Sequence, residues 1–311
     1  PEIQARLRRD AYACIHAVEE AAFPAVALAP RYGIPVIYDM QSSLPEQMLS
    51  RPGFRNRGAR TALRACEAWL LERADYVVTS AGLVDHVRVV NPQADVRQWR
   101  YSSSPASASQ VEIARVRETL GIPPGSRIVV YSGSFAPYQG LRELLGAMRH
   151  VLRQRPGTVF ILVGAEGPGG ATISDRAWDL IRTGSVHLLH RLPRESVAPY
   201  LGVADVLVSP RIHGGNLPLK IFDYLATGRP IVATDIHAHR AVLDPSRSEL
   251  VEPSAEGIAA GILRLLSDAE HAARLAASAR EYASQHLGWL AFVQSVGELY
   301  GEACSNPFPT E

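Results

Sequence analysis

The 311-residue chain is long enough for two α/β domains of ordinary size. Hydrophobic residues make up 47% and charged residues 20%, as in globular proteins, and a net charge of +1 argues against a nucleic-acid binder that works through bulk electrostatics. No apolar run approaches the roughly 18 residues of a membrane-spanning helix, and the opening PEIQARLRRD lacks the apolar core of a secretory leader. Cys14, Cys66 and Cys304 lie far apart with no Cys-x-x-Cys, indicating neither a disulfide framework nor a zinc site, so a reducing cytoplasm is the expected compartment.

The chain begins with an arginine-rich segment of helical character. Strands are expected at Cys14–Val18, Pro35–Asp39, Tyr76–Ser80 and Val96–Tyr101 with helices between them, which makes a small parallel sheet. Within this part Arg51, Arg55, Arg57, Arg60 and Arg64 accumulate with no acid before Glu67. Such a run is either a solvated helix face or a patch for an anionic membrane surface, where each basic residue contributes about 1 kcal/mol. Ser102–Gln110 is polar and small and reads as a linker. From Arg127 the rhythm sharpens. Strands are expected at Ile128–Ser132, Val159–Val163, Val186–Leu189, Val206–Ser209, Pro230–Thr234 and Glu249–Glu252. They alternate with helices at Leu141–Arg153, Ser174–Arg182, Glu195–Val203, Leu219–Thr227 and a short stretch near Ala238–Leu243. The βαβ repetition specifies a doubly wound parallel sheet whose ligands sit at the carboxyl ends of the strands. A helical tail from Ala255 to about Ala303, broken near His286–Gly288, closes the chain.

Two segments leave strands in the manner of anion sites. Tyr131–Gly140 crosses a small-residue turn in which Gly133 and Ser134 let a ligand approach the backbone, then enters a helix whose amino end carries free N–H groups. A structural turn has the same composition, so this segment alone decides little. The run from Ser209 to Thr234 says more. Gly214, Gly215 and Asn216 form a loop ahead of a helix with Pro218 in its expected first turn, and Gly228 ends that helix. Lys220 and Asp223, three apart, share one helix face near the loop. They are either an exposed ion pair or a cation for a diphosphate and a carboxylate for a ribose. Of the 32 Lys and Arg residues every one except Lys220 is arginine, so the position has kept a compact point charge where the chain elsewhere uses a planar fork. His187, His190, His237 and His239 lack the spacing of a metal site, with His237 and His239 expected on one strand face or loop. No Gly-x-Ser-x-Gly supports Ser-His-Asp catalysis.

The run PRIHGGNLPLKIFDYLATGRPIVATDI resembles the Glu-x7-Glu loop, helix and Ala-x-Gly-x-Pro-Val-Val strand of family 4 retaining glycosyltransferases. VVYSGSFAPYQGLRELLGAM resembles the opening strand and loop of that family's carboxyl-terminal domain, and FILVGAEG, VHLLHRLPRESVAPYLGVADVLVSP and the tail follow in the family's order. The resemblance covers most of residues 10–300 and is most specific over 127–236. It implies a GT-B fold, two Rossmann-like α/β domains facing each other across a cleft. Residues 1–104 with the tail from about 285 to 311 would form an acceptor-side domain, and residues 105–284 the nucleotide-sugar domain. In the family's pattern Asp223 takes the place of the second Glu. Gly215 stands where the first should be, and Ser134 or Phe135 and Gln139 stand where Arg and Lys are common, with Lys220 as the replacement charge. Ile15-His-Ala-Val-Glu-Glu20 resembles a strand ending in the first His of His-x-His, and Gln41 stands where a second strand end often has His. Glu19 and Glu20 also fit the first turn of the following helix. The family's first strand and glycine-rich loop have no counterpart.

The implied activity is transfer of a sugar from a UDP- or GDP-linked donor to a sugar, lipid-linked or small-molecule acceptor with retention, without cofactor or metal. Lys220 and His16 would be catalytic. Gly133, Ser134, Arg191, Gly214, Gly215, Asn216, Leu217, Lys220 and Asp223 would bind the nucleotide-sugar. Arg51, Arg55, Arg57, Arg60 and Arg64 would offer a peripheral membrane contact, and no nucleic acid is expected. The lost acid at Gly215 keeps two alternatives open: a catalytically degenerate nucleotide-binding or scaffold protein, and a nucleotide-sugar epimerase.

Overall fold

The computed structural model describes residues 2–49, 54, 56–99, 101–102, 108–164, 170–190, 192–213 and 217–305. They form two compact units, one comprising residues 2–101, Leu217 and 289–305, the other 102–213 and 218–288.

The first unit runs α1 (Glu2–Arg9), β1 (Ile15–Val18), α2 (Ala22–Leu28), β2 (Val36–Met40), α3 (Leu44–Leu49), α4 (Arg57–Arg73), β3 (Tyr76–Thr79), α5 (Ala81–Val90) and β4 (Val96–Gln98). Its strands are parallel in the order β1-β2-β3-β4, with His16 opposite Ile37 and Val18 opposite Asp39. Val36, Tyr38 and Met40 of β2 bury one sheet face against Val26 of α2 and Leu70 and Leu71 of α4. Asn56 starts α4 by accepting the Ala59 N–H on its side chain at 2.7 Å, a cap of about 1 kcal/mol. The last strand stops at Gln98, short of the expected Tyr101. Trp99 still donates its N–H to the Thr79 carbonyl at 3.1 Å, but its indole turns to Asp39.

The second unit runs α6 (Gln110–Thr119), β5 (Arg127–Ser132), α7 (Leu141–Gln154), β6 (Thr158–Gly164), α8 (Gly170–Arg182), β7 (Val186–His190), α9 (Ala198–Gly202), β8 (Val206–Ser209), α10 (Lys220–Thr227), β9 (Ile231–Thr234), α11 (His237–Arg240), β10 (Glu249–Val251), α12 (Ala255–Ser267) and α13 (Ala269–His286). All six strands are parallel, ordered β10-β9-β8-β5-β6-β7. The order reverses between β5 and β8, the switch point where doubly wound sheets hold ligands. Leu144, Met148 and Val151 of α7 and Ile258, Ile262 and Leu265 of α12 cover one face over Val129, Phe160 and Val208. Each such side chain contributes about 1.5–3 kcal/mol on burial.

The helix boundaries depart from expectation where local polar chemistry intervenes. The helix expected at Glu195–Val203 is a 3-10 turn, Arg194–Ser196, followed by α9, which starts afresh with Pro199 in its first turn. The tail is interrupted at Asp268 as well as near Gly288, because the Asp268 carboxylate caps α13 through the His271 N–H at 2.9 Å. Pro218 precedes α10 instead of lying in its first turn: its carbonyl accepts the Ile221 N–H, and the regular helix begins at Lys220. The third helix of the tail, α14 (Trp289–Ser305), belongs to the first unit, where Leu299 and Ala303 pack on Ile37 and Val78.

Candidate functional site

The site is built at the switch point of the second unit. The chain leaves β5 at Ser132 and turns at Gly133, whose φ is 143° and whose N–H donates to the Val163 carbonyl at 2.9 Å. A Cβ at this position would stand 2.7 Å from Lys220 Nζ and 3.1 Å from both Lys220 Cε and Tyr131 Oη. The glycine is the space that the lysine head occupies. The turn continues through a 3-10 element, Pro137–Gln139, to Gly140, where a Cβ would fall 1.7 Å from the Pro210 carbonyl oxygen. The two loops at the switch point are therefore in backbone contact.

Lys220 opens α10 and points its ammonium inward, donating to Gln139 Oε1 at 2.9 Å with Nζ 4.1 Å from the centroid of the Tyr131 ring. Among the described residues its partners are an amide oxygen and an aromatic face, and none is a carboxylate. Burial, and then the Arg211 charge, hold its pKa well below the usual lysine range. Arg211 is itself buried, donating Nε–H to the His213 carbonyl at 2.7 Å and lying over Tyr138 at 5.2 Å. Tyr131 holds the turn by donating to the Ser134 carbonyl at 2.6 Å. Tyr224, one turn along α10 from Lys220, accepts the Ser132 N–H at 2.8 Å and lies 3.4 Å from the Val208 carbonyl, clamping α10 onto β5 and β8. The wall beneath is neutral. His239 is fully buried, with Nε2 2.9 Å from Ser209 Oγ and Nδ1 2.7 Å from the Thr234 carbonyl. Burial foremost, and then Lys220 and Arg211, push its pKa down to about 4, against the backbone bond that favours its charged form. The result is a positively charged, partly desolvated cluster with a glycine turn at its edge.

Of the residues singled out from sequence, the fold brings Gly133, Lys220 and Gln139 together. Ser134 is half-buried beside them and lends its carbonyl to Tyr131; Asp223 is half-buried on α10, and Leu217 is buried. Arg191, Gly214, Gly215 and Asn216 lie outside the described residues, as do Arg51 and Arg55. Lys220 does not form the exposed surface ion pair considered as its alternative, since its ammonium is turned inward. His237 and His239 lie on α11, not on a strand or loop, and His239 is a buried cross-link between β8 and β9. In the first unit His16 is the second residue of β1 and not its end. Its Nδ1 is 2.5 Å from Tyr300 Oη and its Nε2 is 3.5 Å from Asp39 Oδ2. Gln41 does reach the same cluster through Asp39. Glu19 takes a φ of 51° and lies with its carboxylate 3.3 Å from Ser42 Oγ, so it ties two strand ends together in addition to starting the next turn. Arg57, Arg60 and Arg64 are exposed along α4, while Glu67 turns inward, accepting the Leu44 N–H at 2.9 Å and pairing with His86 at 2.7 Å. Arg211, Tyr131, Tyr224 and Tyr300 escaped the sequence reading. The tyrosines have only ordinary helix or strand spacing, and Arg211 is hidden among thirty other arginines.

Two parallel α/β sheets, the second doubly wound with a cationic cluster at its switch point, define the GT-B class. Residues 112–282 match the family model "Glycosyl transferases group 1", and the chain belongs to that family. Among curated proteins it is similar to the D-inositol 3-phosphate glycosyltransferase of Corynebacterium efficiens, 28% identical over 261 residues that make up 78% of this chain and 60% of that protein. The homologous enzyme of Corynebacterium urealyticum is 27% identical, with 76% and 59% covered. The chain thus spans about three-fifths of the length of these relatives. Among solved structures it is similar to a sucrose-phosphate synthase from Thermosynechococcus elongatus, with a TM-score of 0.81 at 23% identity, covering 97% of this chain and 76% of that one. It is also similar to HepE of Anabaena in a complex with UDP-glucose, with a TM-score of 0.80 at 17% identity, covering 97% and 81%. Among the described residues no helix is long and apolar enough to cross a membrane.

Proposed function

We propose that this chain transfers a sugar from a nucleotide-diphosphate donor, UDP- or GDP-linked, to an acceptor hydroxyl with retention of configuration. The observation that carries the reading is the Lys220 ammonium, turned inward at the switch point and held by the neutral Gln139 amide. A cation that is desolvated without a carboxylate is costly in the empty protein and favourable once an anion arrives. The donor diphosphate is such an anion. As the glycosidic C–O bond breaks, negative charge grows on the leaving phosphate, and Lys220 with Arg211 behind it stabilises that charge without reorganising. These two cations provide the positive field, so the reaction needs no divalent metal. The complex of HepE with UDP-glucose supports the choice of donor class. Asp223 would hold the ribose, and the amides of Gly214 to Leu217 would complete the phosphate cradle. On the acceptor side His16, oriented by Tyr300, would be the residue of the first unit that takes part in transfer. The exposed Arg57, Arg60 and Arg64 of α4 would meet an anionic lipid surface carrying the acceptor.

The decisive experiment is a thermal-shift panel with UDP, GDP, ADP and NAD on the wild type and on Lys220→Ala. A nucleotide at 100 times its dissociation constant stabilises by about 2.7 kcal/mol. UDP or GDP should shift the wild type, and the variant should lose most of that shift while melting no lower on its own, because it sheds a desolvated charge. Turnover of the matching sugar donor in the presence of a chelator, with the anomeric configuration of the product read by NMR, then tests retention and independence from metal. Absence of any nucleotide shift in the folded wild type refutes the donor site. Gly215, in the place of an acid, favours one second reading: a protein that binds the nucleotide without turnover, recognisable as a thermal shift with no product.

A further inference from the structure

Cys14 and Cys304 are separated by nearly the whole sequence, yet the fold brings them to one interface of the first unit. Cys14, just ahead of β1, packs on the cluster formed by Ile37, Val78, Leu299 and Ala303, and Cys304 is the next residue of α14 after Ala303. One rung away the same interface is fixed by the 2.5 Å contact between His16 and Tyr300. The spacings match. From residue 16 back to 14 along an extended strand is about 6.6 Å, and from residue 300 forward to 304 along a helix is about 6.0 Å. Arg97 pairs with Glu302 while Trp99, two residues on, lies against Phe292, so α14 runs opposite to the parallel strands, and a register that places 16 against 300 places 14 against 304. The proximity is reflected in the titration of the neighbours. The Cys14 thiol is pushed up to about 11, chiefly by burial and then by the Cys304 thiol, and both sulfurs act on Tyr300.

We propose that Cys14 and Cys304 form a reversible redox pair whose disulfide fastens α14 to β1. Cys304 is exposed and Cys14 partly buried, which sets the order of events. The Cys304 thiolate attacks a low-molecular-weight disulfide, forming a mixed disulfide and expelling one small thiolate. Cys14 then gives its proton to that thiolate and attacks the Cys304 sulfur, and the second small thiolate leaves. The protein loses two electrons to the small disulfide, which departs as two thiols. Because Cys14 is mostly protonated at neutral pH, ring closure is the slow step and accelerates about tenfold for each unit of pH below its own value. Cys66, exposed on α4, serves as an internal control.

The test uses the full chain, exposed to excess oxidised glutathione, blocked with an alkylating agent and mapped by mass spectrometry. The expected product is a peptide pair joining Cys14 to Cys304, about 2 Da lighter than the two thiol peptides, with Cys66 alkylated or carrying glutathione. Closing so long a loop should raise Tm by about 5 °C or more, and Cys304→Ser should abolish both the link and the rise. The proposal is overturned if Cys14 remains alkylatable after prolonged oxidation at pH 9, if the linked peptide contains Cys66, or if the linked form melts below the reduced one, since the bond would then form only in a distorted chain.

Discussion

Gly133→Ala isolates the geometry on which the donor site depends. The new methyl carbon would meet Lys220 Nζ at 2.7 Å, Lys220 Cε at 3.1 Å and Tyr131 Oη at 3.1 Å, on a backbone whose φ of 143° L-residues rarely adopt. The backbone strain alone costs about 1–3 kcal/mol. The steric part is relieved cheaply, because the nearest atom is the end of a flexible side chain, and the ammonium swings off Gln139. Placing the phosphate cation 1 Å or so away from its aim removes a charge-assisted hydrogen bond of about 1.5–3 kcal/mol, a loss of affinity of roughly ten- to a hundredfold. Gly140→Ala is the control. Its methyl would strike the Pro210 carbonyl at 1.7 Å, a backbone atom that cannot step aside, so this variant should lose stability outright. Urea denaturation gives the stabilities, and calorimetric titration with UDP and GDP gives the affinities. Gly133→Ala should retain a cooperative transition and lose nucleotide affinity disproportionately. A Gly133→Ala protein that binds nucleotide as the wild type does would refute the claim that this turn positions Lys220 for phosphate.

Three further outcomes follow from the same cluster of side chains. Gln139→Glu places a carboxylate where the amide now sits 2.9 Å from the ammonium, and should weaken nucleotide binding at least tenfold while raising Tm, as read by titration and thermal shift. Lys220 begins with a depressed pKa and an arriving diphosphate raises it. Between those two values binding must therefore take up a proton and affinity must fall as pH rises, which titrations in buffers of different ionisation enthalpy will report and Lys220→Ala will remove. His239 has its pKa lowered to about 4 in the fold against 6.5 when unfolded, so the unfolded chain binds more protons between those values. Stability from this residue is complete above about pH 6.5 and is lost as pH falls toward 4, amounting to about 2 kcal/mol between pH 7 and pH 4.5. Denaturant curves at both pH values should show a smaller acid loss for His239→Gln, and equal losses would exclude the histidine as the cause.

The alternation of apolar runs and amphipathic helices is enough to read both sheets, because the central strands of a parallel sheet are covered on two faces and must be apolar. Tyr131 and Phe160 are fully buried for that reason. The edge strand Val96–Gln98, in contrast, is recognised only by its place in the rhythm. What blurred was set by single polar groups: a carboxylate at Asp268 that interrupts a periodic helix, and a carbonyl at Pro218 that delays the start of α10 from Leu219 to Lys220. Neither alters the hydrophobic period, so neither is visible in it.

The site divides along the same line. Lys220 stands out in one dimension because it is a lone lysine among arginines, while Gly133 has the composition of an ordinary turn. Their relation is not legible, since 87 residues separate them and only the reversal of strand order between β5 and β8 makes them neighbours. The i, i+3 spacing of Lys220 and Asp223 fits either a surface ion pair or a cation and a carboxylate for a ligand, and the clamp of α10 by Tyr224 onto the ends of β5 and β8 aims Lys220 inward. A histidine near a strand end reads equally as a core residue or a site residue, and in the fold the ring of His16 lies between Tyr300 and Asp39. If it acts on a sugar, it does so with a ring orientation dictated by a tyrosine 284 residues downstream. One of the two charges of the site, Lys220, is therefore legible in composition, whereas the second, Arg211, and the direction of both are fixed by long-range contacts from residues whose own spacing is unremarkable.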